Sequence, residues 1–397
     1  MSNIVPITEE LYWIGVNDYE TALFESIWPL PRGVSYNSYL LVDEKTVMID
    51  AVKKGFLTGL LDKAKGVLGD KTIDYLVVNH MEPDHSGAIK VLRRIYPNMT
   101  IVGNAKTVRF LERFYGITEN IHVAEDGDVL ELGKHKLKFF LTPMVHWPET
   151  MMTYEPTLKA LFSGDAFGGF GALPDGIFDD EVDLDYYEDE ILRYFSNIVG
   201  KYSAMVQKAI AKLGDLEIKL VASTHGPIWR TNPGKIIEDY AKWSSHQTEE
   251  GIVIAYASMY GNTQKMTEVV ARAIAEAGVE KVRVHNLSRT HVSYVIRDIW
   301  RYKGLILGSP TYNTKVFPLM QTLLEHLENK KLKNHRVGIV GTYGWSKGAV
   351  ARMMKLAESP GWEIVEPIVE ANCSPDDQEE ADCAELGKNM AAAIREE

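Results

Sequence analysis

The sequence predicts an α/β protein in two parts: two sheets covered by helices over residues 1–249, then a doubly wound parallel sheet over residues 250–397. Three observations predict it. At 397 residues the chain exceeds the size at which a single core stops growing, so two domains are expected. Apolar runs in the first part come as adjacent pairs, as at 38–43 and 46–51, which is the pattern of hairpins and mixed sheets. In the second part strand-like and helix-like segments alternate strictly, as a parallel sheet requires.

Taken in order, "LYWIGV", "SYLLVD", "TVMIDA", "DYLVVN", "KLKFFLT" and "ALFSGD" read as strands. Helical periodicity fills residues 57–67, 87–96 and 105–115 between them. The polar stretch "SSHQTEEG" at 244–251 marks the break. After it, "IVIAYAS" leads to a helix from "TQKMTEVVARAIAEAG", then "KVRVHNL" to a helix at 291–301, and "GLILGSP" to one at 316–328. "RVGIVGTYG" precedes a helix at 348–357, and "WEIVEPIVEA" precedes the last, at 377–395. About 145 residues suit one doubly wound domain. No internal repeat links the two parts.

Composition removes several classes of function. A formal charge of −12 argues against nucleic acid or an anionic membrane as partner, because both repel an acidic surface. No run approaches the roughly 18 apolar residues of a membrane span. The opening "MSNIVPITEELYWIGV" lacks a basic stretch followed by an apolar core, so a cytoplasmic location is expected. Cys373 and Cys383 are the only cysteines, at a spacing that fits neither a redox pair nor a zinc knuckle.

The chemistry concentrates first in "VVNHMEPDHSGAI", residues 77–89, where His80, Glu82, Asp84 and His85 follow an apolar run. They fall on the loop between a strand and a helix that begins in "SGAIKVLRRIY", with Ser86 expected as its cap. Open α/β sheets place their sites at that edge. Pro83 stiffens the loop, and two adjacent carboxylates call for compensating cations. His146 closes "FFLTPMVH", Asp165 closes "ALFSGD" and His225 closes "KLVASTHG". Each alone reads as a surface histidine or a turn cap; together they put more ligands at the same sheet edge. His122, His135, His246, His285, His291, His326 and His335 fit no ligand pattern and read as ordinary surface or core residues.

In the second part, Ser258, Met259, Tyr260, Gly261, Asn262 and Thr263 form "SMYGNT" between a strand and a helix N-terminus. Hydroxyl and amide donors, a permissive glycine and oriented N–H groups make a phosphate cradle. It is neither a dinucleotide fingerprint nor a Walker A loop. "SPTYNT", with Pro310, Thr311, Tyr312 and Asn313, and "GTYGWSKGA", with Tyr343, Gly344, Trp345 and Ser346, follow later strands at the same edge. Their aromatics offer faces for a flat ring.

The first ligand order resembles the metallo-β-lactamase fold, whose zinc members carry H-x-H-x-D-H, then a histidine, a bridging aspartate and a last histidine. Glu82 stands where they have histidine, and the added carboxylate favours iron over zinc by ligand type. The three later loops resemble flavodoxin, which implies FMN with its phosphate at 258–263. The fusion of the two is the architecture of the flavodiiron proteins, so the resemblance implies a metallo-β-lactamase-like αββα sandwich followed by a flavodoxin-like doubly wound parallel sheet. It implies two iron ions, one held by His80, Glu82 and His146, the other by Asp84, His85 and His225, with Asp165 bridging.

It further implies reduction of dioxygen to water or of nitric oxide to nitrous oxide. Dioxygen takes four electrons, two from the iron pair and two from reduced FMN. The family pattern implies a head-to-tail homodimer, alone or paired into a homotetramer, and an external donor: a rubredoxin or a reduced deazaflavin coenzyme. No rubredoxin or flavin-reductase module follows in the sequence, so the minimal two-domain class is expected. Tyr194, in "ILRYF", reads either as a donor into the metal pocket or as a core aromatic. Two readings compete with this one: a zinc metallohydrolase with a fused flavodoxin-like domain, and an electron carrier whose metal site is only structural.

Overall fold

Adjacent apolar runs pair as hairpins in the first part, and a helix converts the pairing from antiparallel to parallel before the first ligand loop. The computed structural model describes residues 4–358 and 361–396. These form two compact units, residues 1–244 and 245–397.

The first unit holds two sheets. One has seven strands among the described residues, in the order Val5–Pro6, Leu11–Trp13, Tyr39–Leu41, Val47–Ile49, Tyr75–Val77, Thr100–Gly103 and Ile121–Val123. Tyr39–Leu41 and Val47–Ile49 are antiparallel, whereas Val47–Ile49 and Tyr75–Val77 are parallel. That switch needs a crossover, which the helix Leu57–Leu68 supplies. The other sheet runs Val129–Glu131, Lys136–Leu141, Met151–Glu155, Ala160–Gly164 and Leu220–Ser223. Its last pair is again parallel, and the long connection carries the helices Leu184–Tyr194 and Ser203–Leu213. Tyr39–Leu41, Val47–Ile49, Met151–Glu155 and Ala160–Gly164 are buried at every position, so their near-continuous apolar runs face protein on both sides.

Several local expectations need correction. "LYWIGV" is not one strand: Leu11–Trp13 stays in the large sheet, while Val16–Asp18 pairs with Val34–Tyr36. The break is at Gly15, where an added Cβ would lie 2.5 Å from the Tyr36 carbonyl oxygen. Ser86 does not cap the helix Ile89–Ile95, whose N-cap is Ala88. It ends the short helix Pro83–Ser86 and turns its hydroxyl back to the Met81 and Glu82 carbonyls at 2.7 and 2.9 Å. The helix expected at 105–115 is Ala105–Phe110, capped by Asn104, followed by a π-helical turn over Leu111–Tyr115.

The second unit is a parallel sheet in the order Val282–Asn286, Glu249–Tyr256, Tyr302–Tyr312 and His335–Tyr343, then Trp362–Ile364 and Val369–Asn372 beside the last. In sequence terms this is 2-1-3-4-5, a doubly wound order with its switch point beside the first strand. Glu249 pairs with Tyr302, so the first strand begins inside the polar stretch and the unit starts ahead of residue 250. "WEIVEPIVEA" makes two strands, because Pro367 has no N–H to offer the ladder. The helices Asn262–Glu276 and Asp377–Ala393 close one face, burying Val270, Ile274, Leu386 and Met390 against Ile252, Ile254 and Ile306. Among the described residues no helix is long and apolar enough to cross a membrane.

Candidate functional site

Four strand ends of the first unit deliver the ligands. His80, Glu82, Asp84 and His85 follow Tyr75–Val77, and Pro83 opens the turn of helix that carries Asp84 and His85. His146 lies beyond Lys136–Leu141, Asp165 directly after Ala160–Gly164, and His225 beyond Leu220–Ser223. Gly164 and Gly226, at φ 59° and 72°, turn the chain sharply beside the last two. All seven side chains predicted from the sequence come together, in two groups: His80, Glu82, His146 and Asp165, and Asp84, His85 and His225.

In the first group Glu82 Oε2 lies 3.2 Å from both His80 Nε2 and His146 Nε2. Asp165 Oδ2 is 3.0 Å from His146 Nε2 and 3.5 Å from His80 Nε2. In the second, Asp84 Oδ2 is 3.3 Å from Nε2 of both His85 and His225, whose own Nε2 atoms approach to 3.0 Å. Asp165 Oδ1 reaches this group, at 3.0 Å from His85 Nε2. One carboxylate therefore offers one oxygen to each group. The Tyr194 hydroxyl donates to Asp165 Oδ2 at 2.9 Å and the Thr224 hydroxyl to Oδ1 at 2.5 Å. Tyr194 is thus both a core aromatic, packed on Phe24, Phe170 and His225, and a donor into the pocket.

The groups demand cations. Burial pushes the His146 imidazole down, but its hydrogen bonds to Asp165 and Glu82 outweigh that and hold it up at about 9. Burial likewise lowers His85, and the charges of Asp84 and Asp165 raise it to about 9. Burial raises Asp165, yet the neighbouring imidazoles carry it well below the usual carboxylate range. Both Asp84 oxygens and His85 Nδ1 are buried without a hydrogen bond, which for a carboxylate and an imidazole is costly unless something else satisfies them. Nitrogen and carboxylate donors converging on two points, with a shared carboxylate between, fit a pair of divalent metal ions. The mixture is harder than an all-histidine set, as iron prefers.

Two residues that sequence reasoning missed complete the surroundings. Glu149, buried, accepts from His80 Nδ1 at 2.8 Å, and the Ser35 carbonyl accepts from His225 Nδ1 at 2.7 Å. Neither stands in a spacing pattern that would have singled it out. A cavity of roughly 250 Å3, lined by Thr21, Phe24, Glu25, Tyr36 and Lys53, opens onto Glu82 and Asp84. It gives a small molecule access to the ligands. The remaining histidines join no metal-type group among the described residues.

In the second unit a cavity of roughly 330 Å3 lies at the C-terminal edge of the sheet. Ser258, Met259, Tyr260, Asn262, Thr263, Pro310, Thr311, Tyr312, Asn313, Tyr343, Gly344 and Trp345 line it, joined by Thr342 and Cys373. Of the predicted residues, Gly261 and Ser346 do not. Gly261 works through its backbone: at φ 94° it is the N-cap of Asn262–Glu276 and donates to Ser258 Oγ at 3.1 Å. Thr263 and Thr342 share a hydroxyl hydrogen bond of 2.9 Å on the cavity floor. Tyr260 and Trp345 stand 90% and 87% exposed at the cavity. A phosphate at the helix N-terminus and a flat ring between the aromatics fit this cavity.

Residues 34–226 match the family described as ODP family beta lactamase, and residues 254–387 match the flavodoxin family. The chain is 35% identical to a nitric oxide reductase of Moorella thermoacetica, covering 99% of this chain and 100% of that one. It is 34% identical to an anaerobic nitric oxide reductase flavorubredoxin of Shigella dysenteriae, covering 98% and 82%. Among solved structures it resembles the rubredoxin oxygen:oxidoreductase of Desulfovibrio gigas, with a TM-score of 0.93 at 27% identity over 99% of both chains. The flavodiiron protein of Giardia intestinalis gives 0.94 at 27% identity, covering 99% and 97%. A lactamase-like metal domain joined to a flavodoxin domain defines an oxidoreductase that couples a metal centre to a flavin. The chain belongs to the flavodiiron protein family, with a diiron centre and FMN as its cofactors. The hydrolase and simple electron-carrier readings give way to it.

Proposed function

We propose that the protein reduces dioxygen to water, nitric oxide to nitrous oxide, or both, with electrons passing through FMN from an external donor. In this reading His80, Glu82 and His146 would hold one iron, Asp84, His85 and His225 the other, and Asp165 would offer one oxygen to each. The observation that carries it is the placing of Asp165, whose two oxygens address separate ligand groups. The irons supply binding and reduction of a diatomic gas, and FMN stores a further electron pair.

The chain's own residues do the rest. Tyr194 and Thr224 fix the rotation of Asp165 by donating to opposite oxygens, so neither ligand group can take both. Tyr36 donates to Asp18 at 3.2 Å, and Lys53 hydrogen-bonds Thr21 at 2.7 Å, which keeps the lysine ammonium at the wall of the access cavity. The cavity is large enough to admit a diatomic gas to Glu82 and Asp84. Ser258, Asn262 and Thr263, which line the cavity beside the helix N-terminus, would hold the FMN phosphate, and Tyr312, Tyr343 and Trp345 on the same cavity would border its ring. The donor is a small rubredoxin, with a reduced deazaflavin as the competing choice. The active unit is a head-to-tail homodimer, and the protein acts in the cytoplasm.

Stopped-flow oxidation of the reduced protein by each gas tests this, with iron and FMN quantified on the same sample. Two irons and one FMN per chain, reoxidised within the mixing experiment by at least one gas, is the expected result. Stoichiometric zinc without bound flavin overturns it.

A further inference from the structure

We propose that Glu149 is a positioning residue that makes the two metal positions unequal, so that the His80–Glu82–His146 position holds its ion more tightly than the Asp84–His85–His225 position. The inference rests on the ligand assignment above.

The direct ligands do not separate the two positions. Each has two imidazoles, one carboxylate of its own and one oxygen of Asp165. Nor do the donors to Asp165, since Tyr194 and Thr224 supply one hydrogen bond to each oxygen. The difference lies behind the ligands.

Behind the first position, Glu149 Oε1 accepts from His80 Nδ1 at 2.8 Å and from the Met81 backbone N–H at 2.9 Å. This fixes the tautomer with the proton on Nδ1, leaving the Nε2 lone pair facing Glu82, His146 and Asp165. A carboxylate behind an imidazole also makes that imidazole a stronger donor to a metal. Glu149 is 1% exposed and its Oε2 has no hydrogen-bond partner, so its charge is not spread over other donors. In a low-dielectric setting that charge attracts a cation at the nearer position.

The second position has nothing equivalent. His225 Nδ1 donates to a neutral carbonyl, that of Ser35. His85 Nδ1 is buried with no partner, so on the side away from the ligand group only ring packing holds it, against His225 at 4.5 Å between centroids and Tyr36 at 6.5 Å. Neither oxygen of Asp84 accepts a hydrogen bond. An imidazole without an anchored Nδ1 is held less firmly than His80, whose Nδ1 is fixed by Glu149.

The test uses the FMN-loaded, metal-free chain titrated with cobalt(II), read by calorimetry and by cobalt ligand-field absorbance. Repulsion between two divalent ions separates the steps in any paired site, so variants that keep one position carry the comparison. Asp84→Ala, which keeps the first position, is expected to bind one cobalt about ten- to a hundredfold more tightly than His146→Ala, which keeps the second. Glu149→Gln retains the shape and a neutral acceptor, and is expected to weaken the first step about tenfold while leaving the second unchanged. Thermal unfolding of each metal-free variant serves as the control for folding. Equal affinities in the two single-position variants, or the reverse order, overturn the proposal, as does an equal loss at both steps in Glu149→Gln. A wild-type chain that binds no cobalt overturns the ligand assignment itself, and the ranking with it.

Discussion

At the scale of single residues, the site depends on a few hydrogen bonds that aim side chains rather than on the ligands alone. Tyr194 shows this most clearly. Its ring is fully buried against Phe24 and Phe170, while its hydroxyl ends on Asp165. Tyr194→Phe keeps the ring and deletes only the donor. A hydrogen bond to a charged acceptor contributes about 2 kcal/mol, so urea unfolding of the metal-free variant should fall by roughly that amount. Iron content should stay at two per chain, because Thr224 and the imidazoles still hold Asp165. Turnover with either gas should slow by about tenfold as the bridging carboxylate gains freedom to rotate. Unchanged stability together with lost iron would mean that the hydroxyl supports the ligands in some other way.

At the scale of elements, the loops after strands were legible and the residues behind them were not. His80 to His85, His146, Asp165 and His225 could be read because each follows a buried apolar run, and such runs end at one edge of a sheet. Glu149 could not, since it contributes only a hydrogen bond to a ligand distant in sequence. The bounds of the helices Leu184–Tyr194 and Ser203–Leu213 were not legible either. The former carries Asp185, Glu188, Asp189 and Glu190 on a sequence that reads as polar connection until its aromatics are seen to pack inward. Val16–Asp18 was merged with its neighbour because periodicity does not register a change of sheet at one glycine. The flavin loop tests the same point from the other side. Gly261 touches no cavity wall, and an added Cβ would meet nothing within 4 Å. Its role is the left-handed φ of 94°, which costs an L-residue about 1–2 kcal/mol. Gly261→Ala should therefore lower the stability of the flavin-free protein by no more than that amount, since the loop can relax, but raise the FMN dissociation constant about tenfold, as fluorescence quenching of the flavin would report. No change in affinity would show that the loop accommodates the side chain without moving its donors.

At the scale of the whole molecule, the question is which flavin serves which metal centre. Two variants separate the possibilities without disturbing the fold of either unit. Asp165→Ala removes the carboxylate that both ligand groups share, leaving the flavin domain untouched. Asn262→Glu places a carboxylate in the first turn of Asn262–Glu276, where it satisfies the helix N-terminus and repels the phosphate that would otherwise sit there. If the chain forms the proposed head-to-tail homodimer, each variant alone is dead, one for want of metal and the other for want of flavin. When the two chains assemble together in equal amounts, about half of the dimers are mixed by chance. In a mixed dimer with transfer between chains, one intact flavin faces one intact metal centre, and the reciprocal pair lacks both. Gas reduction should then recover to about a quarter of the wild-type rate per dimer. Transfer within a chain predicts none, because neither polypeptide carries both functional sites. Mixed dimers confirmed by mass spectrometry and devoid of activity would therefore overturn transfer between chains.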